Sequence, residues 1–149
     1  FLERNLGFKA VGIENERTRM ISGDGLGRNA VDIVPDHSGK LGYISVGTIH
    51  HIALRIEGKD SQTVFKDKLL EAGHQVTPIR DRKYFQSIYF REPGGVLLEV
   101  ATESPGFMID EPYSSLGRHL MLPESLENRR IEIERSLPRI SLPKWSVAA

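Results

Sequence analysis

Residues 48–102, TIHHIALRIEGKDSQTVFKDKLLEAGHQVTPIRDRKYFQSIYFREPGGVLLEVAT, carry the pattern that decides the fold. The run 48–56 reads as a short apolar strand. Residues 61–72 repeat their apolar positions at helical spacing, which predicts an amphipathic helix burying Val64, Phe65, Leu69 and Leu70. Gly73 is placed to end that helix in the left-handed conformation that glycine adopts without strain. Strands follow over 75–79, 84–91 and 95–102, with Glu92-Pro93-Gly94-Gly95 as the turn before the last. The order is βαβββ, and the fold class is α+β.

Working back from residue 48, the first part of the chain is a looser version of the same unit. Leu2 and Leu6 lie one helical turn apart, and Gly7 is a helix stop. Strands are predicted over 8–13, 17–22 and 30–34, the last closed by Pro35. The glycine-rich run Gly23-Asp24-Gly25-Leu26-Gly27 lacks the spacing of a dinucleotide fingerprint and leads into a strand, so it reads as a hairpin loop. The chain therefore divides into an incomplete βαβββ module over 1–46, without its first strand, and a complete module over 47–104. A C-terminal loop, helix and extended tail occupy 105–149. Residues 104–121 are expected to form an ordered loop. Residues 123–136 are expected to form a Glu- and Arg-rich helix in which Glu127, Arg130 and Glu134 stand at supportive spacing. That charge is the pattern of a solvated face, and Pro138 and Pro143 bracket the tail.

The chain opens at Phe1, inside a helical pattern, which leads us to expect a piece of a longer protein. A module without its first strand also leaves an unpaired sheet edge, an aggregation liability that another chain can cover. The expected assembly is a homodimer or a strand-exchanged form.

Composition narrows the function. Of 149 residues, 20 are Lys or Arg and 20 are Asp or Glu, so the formal net charge is zero and nothing advertises a nucleic-acid surface. There is no cysteine, which excludes disulfides, Cys-ligated zinc and thiol catalysis, and fits a cytoplasmic location. No apolar stretch approaches the length of a membrane span.

Strand alternation selects the candidate chemistry. His51, Ala53 and Arg55 share one face of the first strand; Leu97, Glu99 and Ala101 share one face of the last. Phe85, Ser87 and Tyr89 share a face of the strand between. A carboxylate in so apolar a strand as 96–101 is costly to bury unless a proton or cation accompanies it. If the strands wall one cavity, His51 and Glu99 offer a divalent transition metal an imidazole nitrogen and a carboxylate oxygen. Tyr89 adds a phenol that can donate a hydrogen bond. His50 faces away from His51 by simple alternation. Arg82, between Asp81 and Lys83, would pass alone as a surface charge, while His37, His74 and His119 sit in loop contexts.

The runs Gly47–Ala53 (GTIHHIA), Asp81–Thr102 (DRKYFQSIYFREPGGVLLEVAT) and Pro105-Gly106-Phe107 together resemble one family. It is the ring-cleaving dioxygenases of the glyoxalase/bleomycin-resistance/extradiol-dioxygenase (vicinal oxygen chelate) superfamily, of the hydroquinone-cleaving type. The resemblance covers most of 47–107 and, more weakly, the rest. It implies βαβββ modules forming a curved mixed sheet that makes a metal-binding cup. It also implies Fe(II), or in some cases Mn(II), held by two histidines and one glutamate, with open positions for a small aromatic substrate and O₂. By the resemblance His51 and Glu99 are metal ligands, and His50 stands behind the metal. Arg82 and Tyr89 position substrate oxygens and handle protons. The remaining metal histidine belongs to a first module that this sequence does not contain, so the chain alone is expected to bind metal weakly and to show little activity. Two other readings share the module: a metal-dependent lyase or isomerase of the glyoxalase type, and a metal-free small-molecule-binding module of the bleomycin-resistance type.

Overall fold

The computed structural model describes residues 1–23, 29–40 and 42–141. They fall into two compact units, one over 1–104 and one from residue 105 onward. The loop expected at 23–27 lies, from residue 24 onward, outside the described residues, as does Pro143.

The first unit starts with helix α1 (Leu2–Leu6), closed by Gly7 at φ 69°. Strands β1 (Lys9–Glu14), β2 (Arg17–Ser22) and β3 (Asn29–Ile33) then form an antiparallel sheet in that order. Arg19 faces Asp32 across the β2–β3 ladder and binds its carboxylate through two hydrogen bonds of 2.7 and 2.8 Å. Arg17 adds a third at 3.2 Å. These cations hold the Asp32 carboxyl down at about 2, against an ordinary 3.8, chiefly through the Arg19 hydrogen bonds.

The rest of the unit is one βαβββ element. Strand β4 (Ile52–Ile56) leads to helix α2 (Lys59–Glu71), followed by β5 (Arg80–Asp81), β6 (Gln86–Arg91) and β7 (Leu97–Thr102). The sheet order is β4-β7-β6-β5, with β4 parallel to β7 and the other pairs antiparallel. A parallel pairing of first with last strand needs a crossover, and α2 supplies it. The expected α+β class with a βαβββ module is thus present, the module in the mixed sheet and the first three strands in a separate antiparallel one.

Helix α2 ends in a full Schellman arrangement. His74 N–H reaches the Leu69 carbonyl and Gly73 N–H the Leu70 carbonyl, each at 2.9 Å, with Gly73 at φ 83°. Beneath the helix Leu69, Ile88, Phe90, Leu98 and Val100 form the core, with Phe1, Leu6, Leu54 and Phe65 packed against it. The buried stripe of α2 differs from the expected one. Gln62, Phe65 and Leu69 make it up, whereas Val64 and Leu70 are about half exposed at 55% and 45%. The contact is narrow, so side chains one position off the 62-65-69 line turn away from the sheet. Gln62 has no solvent exposure, and its Nε2 donates to the carbonyls of Gln86 and Val100 at 2.9 and 2.8 Å. It ties the helix to β6 and β7 by a polar contact that an apolar pattern does not reveal.

Three strand boundaries differ from those expected, each for a local reason. Residues 48–51 are not in the ladder. Ile52 faces Leu98, and β7 starts only at Leu97, so earlier residues have almost nothing to pair with. The strand expected over 75–79 shrinks to a bridge between Val76 and Phe90. Pro78 follows Thr77 and has no N–H to donate to a ladder. Thr77 bonds the Tyr89 backbone on both sides, its N–H giving to the Tyr89 carbonyl and its Oγ1 accepting the Tyr89 N–H, both at 3.0 Å. The strand expected over 84–91 starts only at Gln86, because Tyr84 and Phe85 belong to a tight turn over 82–85. There Arg82 N–H donates to the Phe85 carbonyl, the Asp81 carboxylate accepts the Lys83 N–H at 2.7 Å, and Lys83 takes φ 67°.

In the second unit, described to residue 141, short 3₁₀ turns at Phe107–Ile109 and Tyr113–Ser115 give the expected loop its order. The helix expected over 123–136 is a 3₁₀ segment, Glu124–Arg129, running into α3 (Arg130–Ser136). Arg130 joins Glu127 at 2.6 Å and Glu134 at 3.1 Å, and those carboxylates raise its pKa further. Glu111, 7% exposed, accepts the Gly117 N–H and bonds His119 Nδ1 at 2.9 Å; these contacts, that of Gly117 first, lower its pKa.

Candidate active site

The face of the mixed sheet opposite α2 gathers the chemistry. Register puts Ala53, Glu99 and Tyr89 in one row across β4, β7 and β6, since Ala53 pairs with Glu99 and Glu99 with Tyr89. Side chains paired directly across a ladder point to the same side. His51, two residues before Ala53, falls on that face as well, just ahead of the first paired residue of β4. Ala53 carries only a methyl group, so the imidazole reaches along the strand to the Glu99 carboxylate without obstruction.

Glu99 is 4% exposed and has three partners. Its Oε2 stands 2.7 Å from His51 Nε2. Its Oε1 accepts hydrogen bonds from the Tyr89 hydroxyl, at 2.9 Å, and from the Ser87 hydroxyl. A buried carboxylate is costly unless it is paired and hydrogen-bonded, and these groups meet both requirements. Ser87 has no solvent exposure. It belongs to the face that alternation assigns to Tyr89, and its convergence on Glu99 is the feature that sequence reasoning did not extract. The signal was its two-residue spacing from Tyr89.

His51 is engaged at both ring nitrogens. Its Nδ1 stands 2.9 Å from Nδ1 of His50, and its ring meets the Tyr89 ring edge-on at a centroid distance of 5.8 Å. His50, exposed and expected to face away, turns its ring back to make that contact. A neutral imidazole donates from one nitrogen and accepts at the other. With Nε2 of His51 donating to the Glu99 carboxylate, Nδ1 of a neutral His51 accepts the hydrogen bond from Nδ1 of His50. Arg82 completes the group from the turn after β5. Its Nη2 lies 3.5 Å from the Tyr89 oxygen and its Cζ is 5.6 Å from the centre of the Tyr89 ring. His50, His51, Arg82, Tyr89 and Glu99 therefore lie together, whereas His37 is in an exposed ion pair with Glu16 and His74 packs on Phe1.

Among the described residues no three His, Cys, Asp or Glu side chains stand together as a metal site. The two donors that do converge, an imidazole nitrogen and a carboxylate oxygen, suit a divalent transition-metal ion and would fit as two of its ligands.

A parallel strand flanking an antiparallel three-strand sheet, with one crossover helix behind and an imidazole–carboxylate pair in front, defines the βαβββ class. The family described as Glyoxalase/Bleomycin resistance protein/Dioxygenase superfamily matches residues 1–100, and the chain belongs to it. Over 136 residues it is 40% identical to the Bacillus subtilis (strain 168) protein named "Putative ring-cleaving dioxygenase MhqO", covering 91% of this chain and 43% of that protein. Over 142 residues it is 31% identical to a chlorohydroquinone/hydroquinone 1,2-dioxygenase of Sphingobium indicum, covering 92% of this chain and 43% of that enzyme. A crystal structure described as a "putative dioxygenase" from Bacillus subtilis superimposes with a TM-score of 0.85 at 38% identity, over 97% of this chain and 46% of that one. The chain thus spans less than half the length of these relatives.

Proposed function

We propose that this chain carries part of the active site of a non-haem Fe(II)-dependent dioxygenase that opens the ring of a hydroquinone- or catechol-like aromatic with O₂. The supporting observation is the meeting of His51 Nε2 and Glu99 Oε2 at 2.7 Å, with Tyr89 on the other carboxylate oxygen. In this reading His51 and Glu99 are two metal ligands, and a third comes from another part of the full-length protein. The ion, when bound, supplies Lewis acidity toward a substrate oxygen and redox capacity toward O₂.

The chain's own residues divide the remaining work. His50 fixes the plane and tautomer of His51, as hydrogen-bond partners of metal-ligating histidines generally do. Tyr89 holds a hydroxyl proton on Glu99 Oε1 and can turn it toward a substrate oxygen as donor or acid. Arg82, partly stacked on Tyr89, brings a fixed positive charge to an oxygen that becomes anionic as the ring opens. Among the described residues no helix is long and apolar enough to cross a membrane. Among the described residues the outer edge of β3, where the first strand of the incomplete module would pair, is a seat for a second copy or an exchanged strand.

The test is metal analysis with oxygen consumption on substituted hydroquinones, using the full-length protein. Iron-dependent O₂ uptake supports the proposal. Turnover without O₂ on Ni or Zn would establish a glyoxalase-type lyase instead. Substrate bound unchanged in the absence of any metal would establish a binding module.

A further inference from the structure

We infer that Ser87 is a positioning residue that, with Tyr89, commits Glu99 to act through one carboxylate oxygen. The inference rests on the proposed metal site and deepens it. A carboxylate has two oxygens and can hold an ion through one or through both. The two oxygens of Glu99 are in unlike surroundings. Oε1 accepts the hydroxyls of both Ser87 and Tyr89. Oε2 faces His51 Nε2 and has no hydroxyl partner of its own among these contacts.

Turning Glu99 to offer both oxygens would break the two hydroxyl bonds inside a sheet where Glu99 is 4% and Ser87 0% exposed. Water cannot replace the lost partner of a hydroxyl so enclosed, so the full desolvation penalty would stand. Tyr89 by itself is a weaker restraint, because its phenol sits at the rim beside Arg82 and can rotate toward substrate. Ser87 lies on strand β6 next to the buried Ile88 and has no solvent exposure. When Tyr89 releases its proton or its hydrogen bond during turnover, Ser87 is the donor that stays.

Carboxylate stretching bands read this directly. The full-length protein loaded with Mn(II) is compared by infrared difference spectroscopy with the metal-free protein, for wild type, Ser87→Ala and the near-isosteric Ser87→Cys, whose thiol is a poor donor. Glu99→Gln identifies the bands. We expect a wide splitting between the antisymmetric and symmetric Glu99 stretches in wild type, as for one-oxygen binding, and a narrow one in both Ser87 variants. Mn(II) affinity is expected to fall about 10–100-fold in both, the usual cost of losing a group that orients a ligand. A narrow splitting in wild type overturns the inference, as do Ser87 variants with wild-type splitting and affinity. If Ser87→Ala does not fold, Ser87→Cys decides by the same criteria. If Glu99→Gln leaves Mn(II) affinity and spectrum unchanged, Glu99 is no ligand, and the proposed metal site itself fails.

Discussion

Tyr89 and Glu99 are direct ladder partners on adjacent antiparallel strands, and the phenol hydroxyl of the first lies 2.9 Å from Oε1 of the second. Register alone fixes that relationship, since a one-residue slip between β6 and β7 would send one of the two side chains to the helix side. The site therefore depends on the core beneath it. Ile88, Phe90, Leu98 and Val100, buried against α2, hold the register that aligns Tyr89 with Glu99 on the opposite face.

Glu99→Gln in the full-length protein is expected to abolish metal-dependent O₂ uptake. The amide keeps the shape but loses the charge, and it places an NH₂ where either His51 or the two hydroxyls need an acceptor. Undiminished turnover with full iron content would remove Glu99 from the site.

Tyr89→Phe deletes one donor to the carboxylate and the group nearest Arg82. Loss of a hydrogen bond to a charged acceptor costs about 1.5–3 kcal/mol when the acceptor stays buried, and the Ser87 bond softens that loss. The rate is expected to fall by roughly 10²-fold or more if the phenol transfers a proton. A variant with wild-type kcat and reduced denaturant stability would confine Tyr89 to a structural role.

Leu69→Ala should destabilise by about 2–5 kcal/mol, because it opens a cavity in a core where Leu69 is 1% exposed. Val64→Ala on the same helix, at 55% exposure, should stay within roughly 0.5 kcal/mol. Urea titrations of the two variants side by side measure the difference, and equal effects would contradict the stripe described for α2.

Asp32 makes stability depend on acid in a defined window. Its folded pKa of about 2 lies below the ordinary 3.8, so its contribution is fully present above 3.8 and is lost as pH falls through about 2. Wild type should lose stability to acid more steeply across that interval than Asp32→Asn does. Parallel acid slopes for the two proteins in urea melts would show that the Arg19–Asp32 pair contributes nothing there.

The βαβββ order, the helix ends at Gly7 and Gly73, and the face shared by His51, Glu99 and Tyr89 were legible in the residues alone. These follow from local rules: a period of two in strands, a period of 3.6 in helices, and the left-handed freedom of glycine. Strand limits did not follow, because a ladder stops where its partner stops, which no single segment encodes. Gln62 was equally hidden, since its burial depends on two carbonyls presented by β6 and β7. The contacts of the site belong to the same category. His50 turning back onto His51, Arg82 arriving over Tyr89 from a tight turn, and Ser87 closing on Glu99 all join residues through space. Only the packing of three strands into one face sets which oxygen of Glu99 meets which donor.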